Sequence, residues 1–461
     1  MRQHWAGFGG GGLTVSYEII RGLYKNNYIQ DFEKENKIGN PPPTPDELTD
    51  ELERSGNEKS YYPYLESAGE NVQLAYYGMD TDSRIMSSLR DRNEQHYEKF
   101  LAEHAHYFTI VKQLDGDGTG AIPEKISSIA DETPLMQDWI NSVLEDGTGQ
   151  FMPMFSLDGG SGFGFFKEHV NLMDREQILT TTDTSQTKVT PLAITPHRSD
   201  ADRRCVWEEA GIERNALDNT LLATEFLEDR LESGLLDFCI VVDNDLAAYN
   251  ALCDEESRKY DTVANKLMPI IVENDFERFY KDIPSLDYDL ANRGIVNSVF
   301  PLTMMFLSGP RGVKFGKVSM DGFDITDMHA FFKSNFVIPS YTEITHRQEV
   351  NQIFEDYAFE TVAEELAYLA YYTFLLSNAP FDGDDVRNIK VFIWTDRTEQ
   401  GIGEDVRSEV ESLMSGIGVS GENITVDPVV GINDPNSMTK IWTLTGAEQL
   451  TPTYREKFIR S

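Results

Sequence analysis

The stretch Ala6-Gly7-Phe8-Gly9-Gly10-Gly11-Gly12-Leu13-Thr14 holds a literal G-x-G-x-x-G at Gly7, Gly9 and Gly12. Glycines in such a run let backbone N–H groups approach a phosphate. A side chain would hold the anion away, and some positions need φ above zero. Directly behind it, residues 15–24 (VSYEIIRGLY) carry apolar residues at helical spacing. This is the loop-to-helix transition that a phosphate loop requires. Taken alone, the motif fits a glycine turn, a dinucleotide loop or another phosphate cradle. The dinucleotide reading needs a firm strand ahead of the glycines and an acid ending the second strand about 20 residues on. The residues ahead, RQHWA, are few and polar for a strand, and the region near Asp31 shows no strand pattern.

Composition narrows the choice. The 461 residues, 40% of them hydrophobic, suffice for two cores, so two domains are expected. No run of about 18 apolar residues occurs, so no membrane span is expected. The opening MRQHWAGFGGGG lacks the basic start and apolar core of a signal peptide. Cys205, Cys239 and Cys253 form no C-x-x-C and fit a reduced, cytoplasmic setting. The histidines show no metal-ligand spacing. The net charge of −38 is spread over the chain and argues against nucleic-acid binding through a broad basic surface. It suits a high-salt cytoplasm, where salt screens the repulsion; an acidic but ordinary cytosolic protein has the same composition. Like-charged subunits repel at low salt, so self-assembly is expected to need salt.

Along the chain, residues 25–70 are polar and broken by Pro41-Pro42-Pro43-Thr44-Pro45, as in an insertion. Strands are expected at 72–82 (VQLAYYGMDTD), 106–114 (HYFTIVKQL), 151–157 (FMPMFSL), 189–195 (VTPLAIT) and 235–245 (LLDFCIVVDND), with a helix from Ser83. Strands alternating with helices predict an α/β sheet that takes a ligand at the strands' C-terminal edge. A long helix at about 255–282 has Val263, Leu267, Ile270 and Ile271 on one face, with Pro269 set to kink it. From about 285 a second α/β unit follows, with a helix at 360–376 and strands at 389–395 and 437–446. The Tyr and Leu residues of that helix are expected to pack against the second sheet.

Three glycine-bearing loops, 7–12, 116–120 and 159–164, each follow an expected strand. Three such loops at one sheet edge predict a cradle of backbone N–H groups around several phosphates. The segment 115–122 (DGDGTGAI) also looks like an EF-hand loop, but Ile126 stands where the bidentate Glu must be, and Pro123 interrupts the frame.

This constellation resembles the tubulin/FtsZ superfamily of filament-forming GTPases, in order over most of the chain apart from two insertions. GFGGGG at 7–12 is similar to the family's first loop. MDTDS at 79–83 resembles N-T-D-A in FtsZ, and Asp80 and Asp82 also match a D-x-E pattern in tubulin. GDGTGAIPE at 116–124 is similar to G-x-G-x-G-x-x-P-E, and DGGSGFG at 158–164 resembles G-G-G-T-G-[ST]-G with Asp158 for the first glycine. A carboxylate there is costly beside phosphates unless Mg²⁺ or another cation neutralises it. TPHRSDADRR at 195–204 resembles the ribose loop, with Asp200 and Arg204 as its acid and arginine. VVDND at 241–245 resembles the guanine-reading loop, with Asn244 in the reading position, and Asn265 on the long helix falls at a second guanine contact. The gap between the first two loops is closer to tubulin than to FtsZ.

The resemblance implies nucleotide contacts at Gly9, Gly10, Gly11, Gly12, Asp80, Asp82, Gly116, Gly118, Thr119, Gly120, Gly159, Gly160, Ser161, Gly162, Phe163, Gly164, Asp200, Arg204, Asn244 and Asn265. Hydrolysis in the family is completed by a neighbouring subunit, whose loop after the long helix brings acids to the γ-phosphate. The matching segment here is Asp287-Tyr288-Asp289-Leu290-Ala291-Asn292, with Asp289 as the first acid and Asn292 in place of the second. Asparagine can orient a water but cannot accept its proton as a carboxylate can. A rival alignment places the loop at 321–332, with Asp327 as the acid and Ala330 as the lost one.

The expected fold is α/β: a Rossmann-like GTPase domain at 1–250, a central helix at 251–284, and a smaller α/β activation domain at 285–461 with an insertion at about 311–350. The expected function is that of a slow, cytoplasmic GTPase using GTP/GDP and Mg²⁺. The Mg²⁺ is held through the phosphates, with Asp82 the side chain offered to it. Self-assembly head to tail gives open filaments serving division, cell shape or DNA-associated positioning, with division or shape proteins as further partners. Neither nucleic acid nor direct membrane insertion is expected. A GTP-binding assembly or regulatory protein with little hydrolysis is the alternative that Asn292 motivates.

Overall fold

Arg2–Phe8 forms β1, and the chain passes from Phe8 straight into helix α1, Gly9–Lys25. The residues that read as short and polar make a full strand because both neighbours pair with them. β2 (Gln73–Met79) and β3 (Gln150–Ser156) each run parallel to β1, in the registers Trp5↔Tyr76 and Trp5↔Met152. Those neighbours cover its edges, α1 packs across it as helices do on parallel sheets, and Trp5, Ala6 and Phe8 have no exposed surface. The computed structural model describes residues 2–25, 73–82, 119, 121–130, 150–175, 188–197, 203–244, 294–299, 301–303, 314–315, 318–319, 325–344, 354, 358–378, 386–395, 402–416, 419–430 and 439–450.

The chain divides into two compact units. One takes Met1–Cys239, Leu302–Val313 and Asp324–Thr326; the other takes Ile240–Pro301, Lys314–Phe323 and Asp327–Ser461. The expected central helix, 251–284, and nearly all of the expected insertion at 25–70 lie outside the described residues.

In the first unit the strand order is β2-β1-β3-β5, with β5 at Leu192–Ile194 and the two-residue β4 at Lys188–Val189 also on β3. The stretch 189–195, which reads as one strand, is split. Its Pro191 has no N–H to give, and the break falls opposite Pro153 of β3, between the pairs Phe151↔Val189 and Met154↔Leu192. Helix α2 (Glu124–Ala130) packs on α3 (Gly160–Arg175), and α1 and α3 both lie against β1 and β3. Phe166 of α3 stacks on Phe155 of β3, with ring centroids 4.3 Å apart. His169 of α3 is fully buried beside Phe8 and bonded to the Phe165 carbonyl at 2.6 Å; burial pulls its pKa down to about 4.

A hairpin, β6 (Arg204–Trp207) and β7 (Ile212–Asn215), turns through Gly211, whose φ of 65° is left-handed. It leads into α4, Ala216–Glu232. Asn215 caps this helix, accepting from Asp218 N–H while the Asp218 carboxylate accepts from Asn215 N–H, a reciprocal capping box. Strand β8, Cys239–Val242, follows at the division between the units.

Helix α5 (Ile325–Phe331) straddles the division at Thr326/Asp327. In the second unit, after the two-residue strands β9 (Lys314–Phe315) and β10 (Val318–Ser319), β11 (Phe336–Ile344) begins the main sheet. β12 is Val386–Thr395, β13 is Ile424–Val430 and β14 is Thr439–Ala447, in the order β13-β12-β14-β11. β14 is antiparallel to β11 and β12, and β13 is parallel to β12. β11 falls within the stretch expected to be an insertion, 311–350. It pairs with β14 from Phe336↔Ala447 to Ile344↔Thr439, so this part of the stretch is sheet.

Helices α6 (Val362–Asn378) and α7 (Ile402–Ser415) pack on each other and on this sheet. As expected for the helix at 360–376, its Leu366, Leu369 and Phe374 enter one core with Val391, Ile393 and Val410. Among the described residues, no helix is long and apolar enough to cross a membrane.

Candidate functional site

Because β1, β2 and β3 are parallel, their C-terminal ends share one edge, and the loops leaving them converge there. α1 opens at Gly9 and α3 at Gly160. Gly9 has φ of 67°, and a Cβ on it would stand 2.6 Å from Gly162 N. The two glycine-led helix starts therefore touch backbone to backbone. Neither α1 nor α3 carries an acid in its first turn, whereas α2 carries Glu124 and α4 carries Asp218. Free N–H groups and the positive dipole end make such starts favourable to anions.

Ser161, in the first turn of α3, fastens the loops together. Its Oγ lies 2.6 Å from Thr81 Oγ1 and 3.4 Å from Thr119 Oγ1. The contact requires glycine at 160, where a Cβ would collide with Thr119 Oγ1 and Ile122 N. Asp80 closes the β2 end: its Oδ1 accepts from Thr81 N–H at 2.6 Å and Asp82 N–H at 3.3 Å. Only 3% of Asp80 is exposed, and burial pushes its carboxyl up to about 6 against those hydrogen bonds.

From the other side, Asn219 of α4, fully buried, donates through Nδ2 to the Ala121 carbonyl at 2.6 Å and the Asp158 carbonyl at 3.1 Å. Asp158 is 7% exposed. Its carboxylate accepts from Ser156 Oγ and, at 2.8 Å, from Arg203 Nη2. The cation that this position demands is thus supplied by the chain itself. Arg214 of β7 pairs with Glu124 of α2.

These elements enclose a cleft of about 440 Å³, within the usual range of small-molecule sites. Of the residues expected at a nucleotide, Gly9, Gly10, Gly11, Asp80, Asp82 and Thr119 border it, together with Gly159, Gly160, Ser161, Gly162 and Arg204. Three others pack inward. A Cβ on Gly12 would collide with the Met154 carbonyl of β3, and one on Gly164 would come within 2.6 Å of Ile126. Phe163 is fully buried between Phe155 and Phe226.

Arg204 also pairs with Glu213 across the hairpin. Asn244 follows β8 in the second unit. Asp327 lies in the first turn of α5. Gly116, Gly118, Gly120, Asp200, Asn265, Asp289 and Asn292 lie outside the described residues.

Phe8, Ala121, Ser156 and Arg203 complete the border, and Asn219 braces it from behind. Arg203 adjoins Arg204 in sequence, which is a usable signal. Asn219 offers none, because its role depends on carbonyls 61 and 98 residues away. Among the described residues, no three His, Cys, Asp or Glu side chains are placed to hold a metal. Asp80 and Asp82, both at the cleft, fit the one or two carboxylates that Mg²⁺ takes when phosphate oxygens complete its shell.

No family model matches the chain, and no curated protein matches it by sequence. Solved structures do. CetZ from Methanosaeta thermophila aligns over 100% of this chain and 91% of its own, with a TM-score of 0.53 and 13% identity. CetZ2 from Haloferax volcanii, solved as a GTPgS-bound protofilament, aligns over 100% of this chain and 98% of its own, with a TM-score of 0.53 and 14% identity. Identity this low establishes architecture alone, and that architecture is the tubulin/FtsZ-like fold of the CetZ type.

Proposed function

We propose that this chain binds GTP and GDP with Mg²⁺ in the glycine-walled cleft and assembles head to tail into filaments, hydrolysing GTP slowly. One observation supports this most: the segments after β2 and β3 and the segment at Thr119 meet at Ser161, beside two helix starts with no acid in the first turn. A polyphosphate is the ligand that such a set of N–H groups suits. The nucleotide analogue and the protofilament named for CetZ2 support the identity of the ligand and the mode of assembly.

Asp82, with Asp80, would hold Mg²⁺, which supplies charge neutralisation at the phosphates. Asn244 and Asn265 would read the guanine. Asp289 of the neighbouring subunit would orient the attacking water, with Asn292 weakening proton removal. The setting would be the cytoplasm.

Displacement of a fluorescent GDP from the purified protein in molar KCl with Mg²⁺ tests the ligand. GTP and GDP compete while NAD does not; displacement by NAD, or no binding of the probe, contradicts the proposal. The second reading, a GTP-binding assembly or regulatory protein with little hydrolysis, is favoured by Asn292. Asn292→Asp separates the two: phosphate release speeds up in a filament GTPase and stays flat in a regulatory binder.

A further inference from the structure

Asp158 stands where the resembled loop has its first glycine, and an unpaired carboxylate there would repel phosphates. Both of its oxygens are engaged. Oδ1 accepts from Ser156 Oγ, and Oδ2 accepts from Arg203 Nη2 at 2.8 Å. Its carbonyl is held by Asn219, and its side chain is 10% exposed. Arg203 is fixed from below as well, since its carbonyl accepts from Ala216 N–H at 2.9 Å. Its side chain is 49% exposed and borders the cleft.

A guanidinium offers five N–H donors in a planar fork. Among the described residues this one donates to Asp158, through a single nitrogen. Arg204, the other arginine at the cleft, is tied instead to Glu213 in a pair whose side chains are 70% and 57% exposed. Salt screens an exposed pair of that kind far more than a buried one. Of the two arginines, Arg203 is the one anchored to a buried carboxylate.

We propose that Asp158 and Arg203 work as one device: Asp158 is a positioning residue that fixes the guanidinium at the cleft wall, and Arg203 donates to the phosphates of the bound nucleotide. This rests on the nucleotide reading above and deepens it. Because Asp158 cancels the charge of Arg203, the pair offers the ligand donor geometry more than net charge. Donor geometry at contact distance keeps its effect in molar salt, where long-range attraction is lost.

The test is binding of guanosine, GDP and GTP to the full chain in molar KCl with Mg²⁺. Arg203→Ala weakens GDP and GTP by about tenfold to a hundredfold, the worth of a charge-assisted hydrogen bond, and weakens guanosine far less. Arg203→Lys restores only part of the loss, because an ammonium lacks the fork. Asp158→Asn weakens GTP several-fold in the native background, where it loosens the guanidinium, and restores part of the loss in Arg203→Ala, where it removes an unpaired carboxylate. Thermal melts report folding, and Arg203→Lys with Asp158→Asn carry the test if the alanine variant does not fold. Equal GTP affinity in native protein and Arg203→Ala overturns the pair. So does an equal loss for guanosine and GTP, or full additivity of the two substitutions. Absence of GDP and GTP binding by the native chain is a different result: it defeats the nucleotide reading, and this inference with it.

Discussion

Gly160 shows how much one missing side chain decides. A Cβ there would collide with Thr119 Oγ1 and with the backbone of Ile122, and displacing Thr119 parts it from Ser161. Gly160→Ala is expected to destabilise the first unit by about 1–3 kcal/mol, as overpacking does, and to weaken nucleotide binding at least tenfold. Urea melts and a nucleotide titration check both.

Asp80 predicts a pH dependence. Burial raises its folded-state pKa from 3.8 to about 6, so the folded state favours the protonated form. The associated stability is fully present below 3.8 and is lost as pH rises through about 6. At neutral pH the cost is about 3 kcal/mol, an order-of-magnitude figure from the shift. Asp80→Asn keeps the acceptor and removes the charge. Above pH 6 the variant should be the more stable protein; near pH 4 the difference should vanish. Denaturant midpoints from pH 4 to pH 8 at fixed KCl decide this, and a difference that does not depend on pH contradicts it.

Among the elements, α4 joins two kinds of information. Its start is local: Asn215 and Asp218 cap it through bonds three residues apart. Its function is distant, because Asn219 holds the carbonyls of Ala121 and Asp158. Asn219→Leu leaves the helix intact and both buried carbonyls without that donor. The expected cost is about 1–3 kcal/mol, with slower amide exchange lost around Ala121 and Asp158 while the α4 amides keep their protection. Hydrogen exchange reads this directly.

The same contrast explains what could be read from the sequence. α1, β3, β12 and β14 announce themselves through runs of apolar residues with the right period, and the glycine loops through composition. β1 is harder, because its pairing with β2 and β3 and its cover from α1 and α3 leave no mark in its own polar opening. The split of 189–195 at Pro191, the pairing of β11 with β14, and the Asp158–Arg203 bond depend on partners far along the chain. Asp158 itself is legible as a departure that demands a cation; that Arg203 supplies it is not.

For the whole molecule, charge would govern the proposed assembly. A chain of net charge −38 meeting copies of itself is opposed by repulsion that falls as the screening length drops to about 3 Å in molar salt. Assembly should therefore rise with KCl, while nucleotide binding, which relies on short contacts in the cleft, changes much less. Sedimentation at increasing KCl checks the first; a parallel nucleotide titration checks the second.

The most direct test of the account is light scattering in molar KCl with Mg²⁺ and GTP, with released phosphate followed in the same cuvette. The account predicts a rise in scattering, slow release of phosphate, and decay of the scattering as GTP is consumed. Bound GTP with no rise at any salt concentration would contradict it.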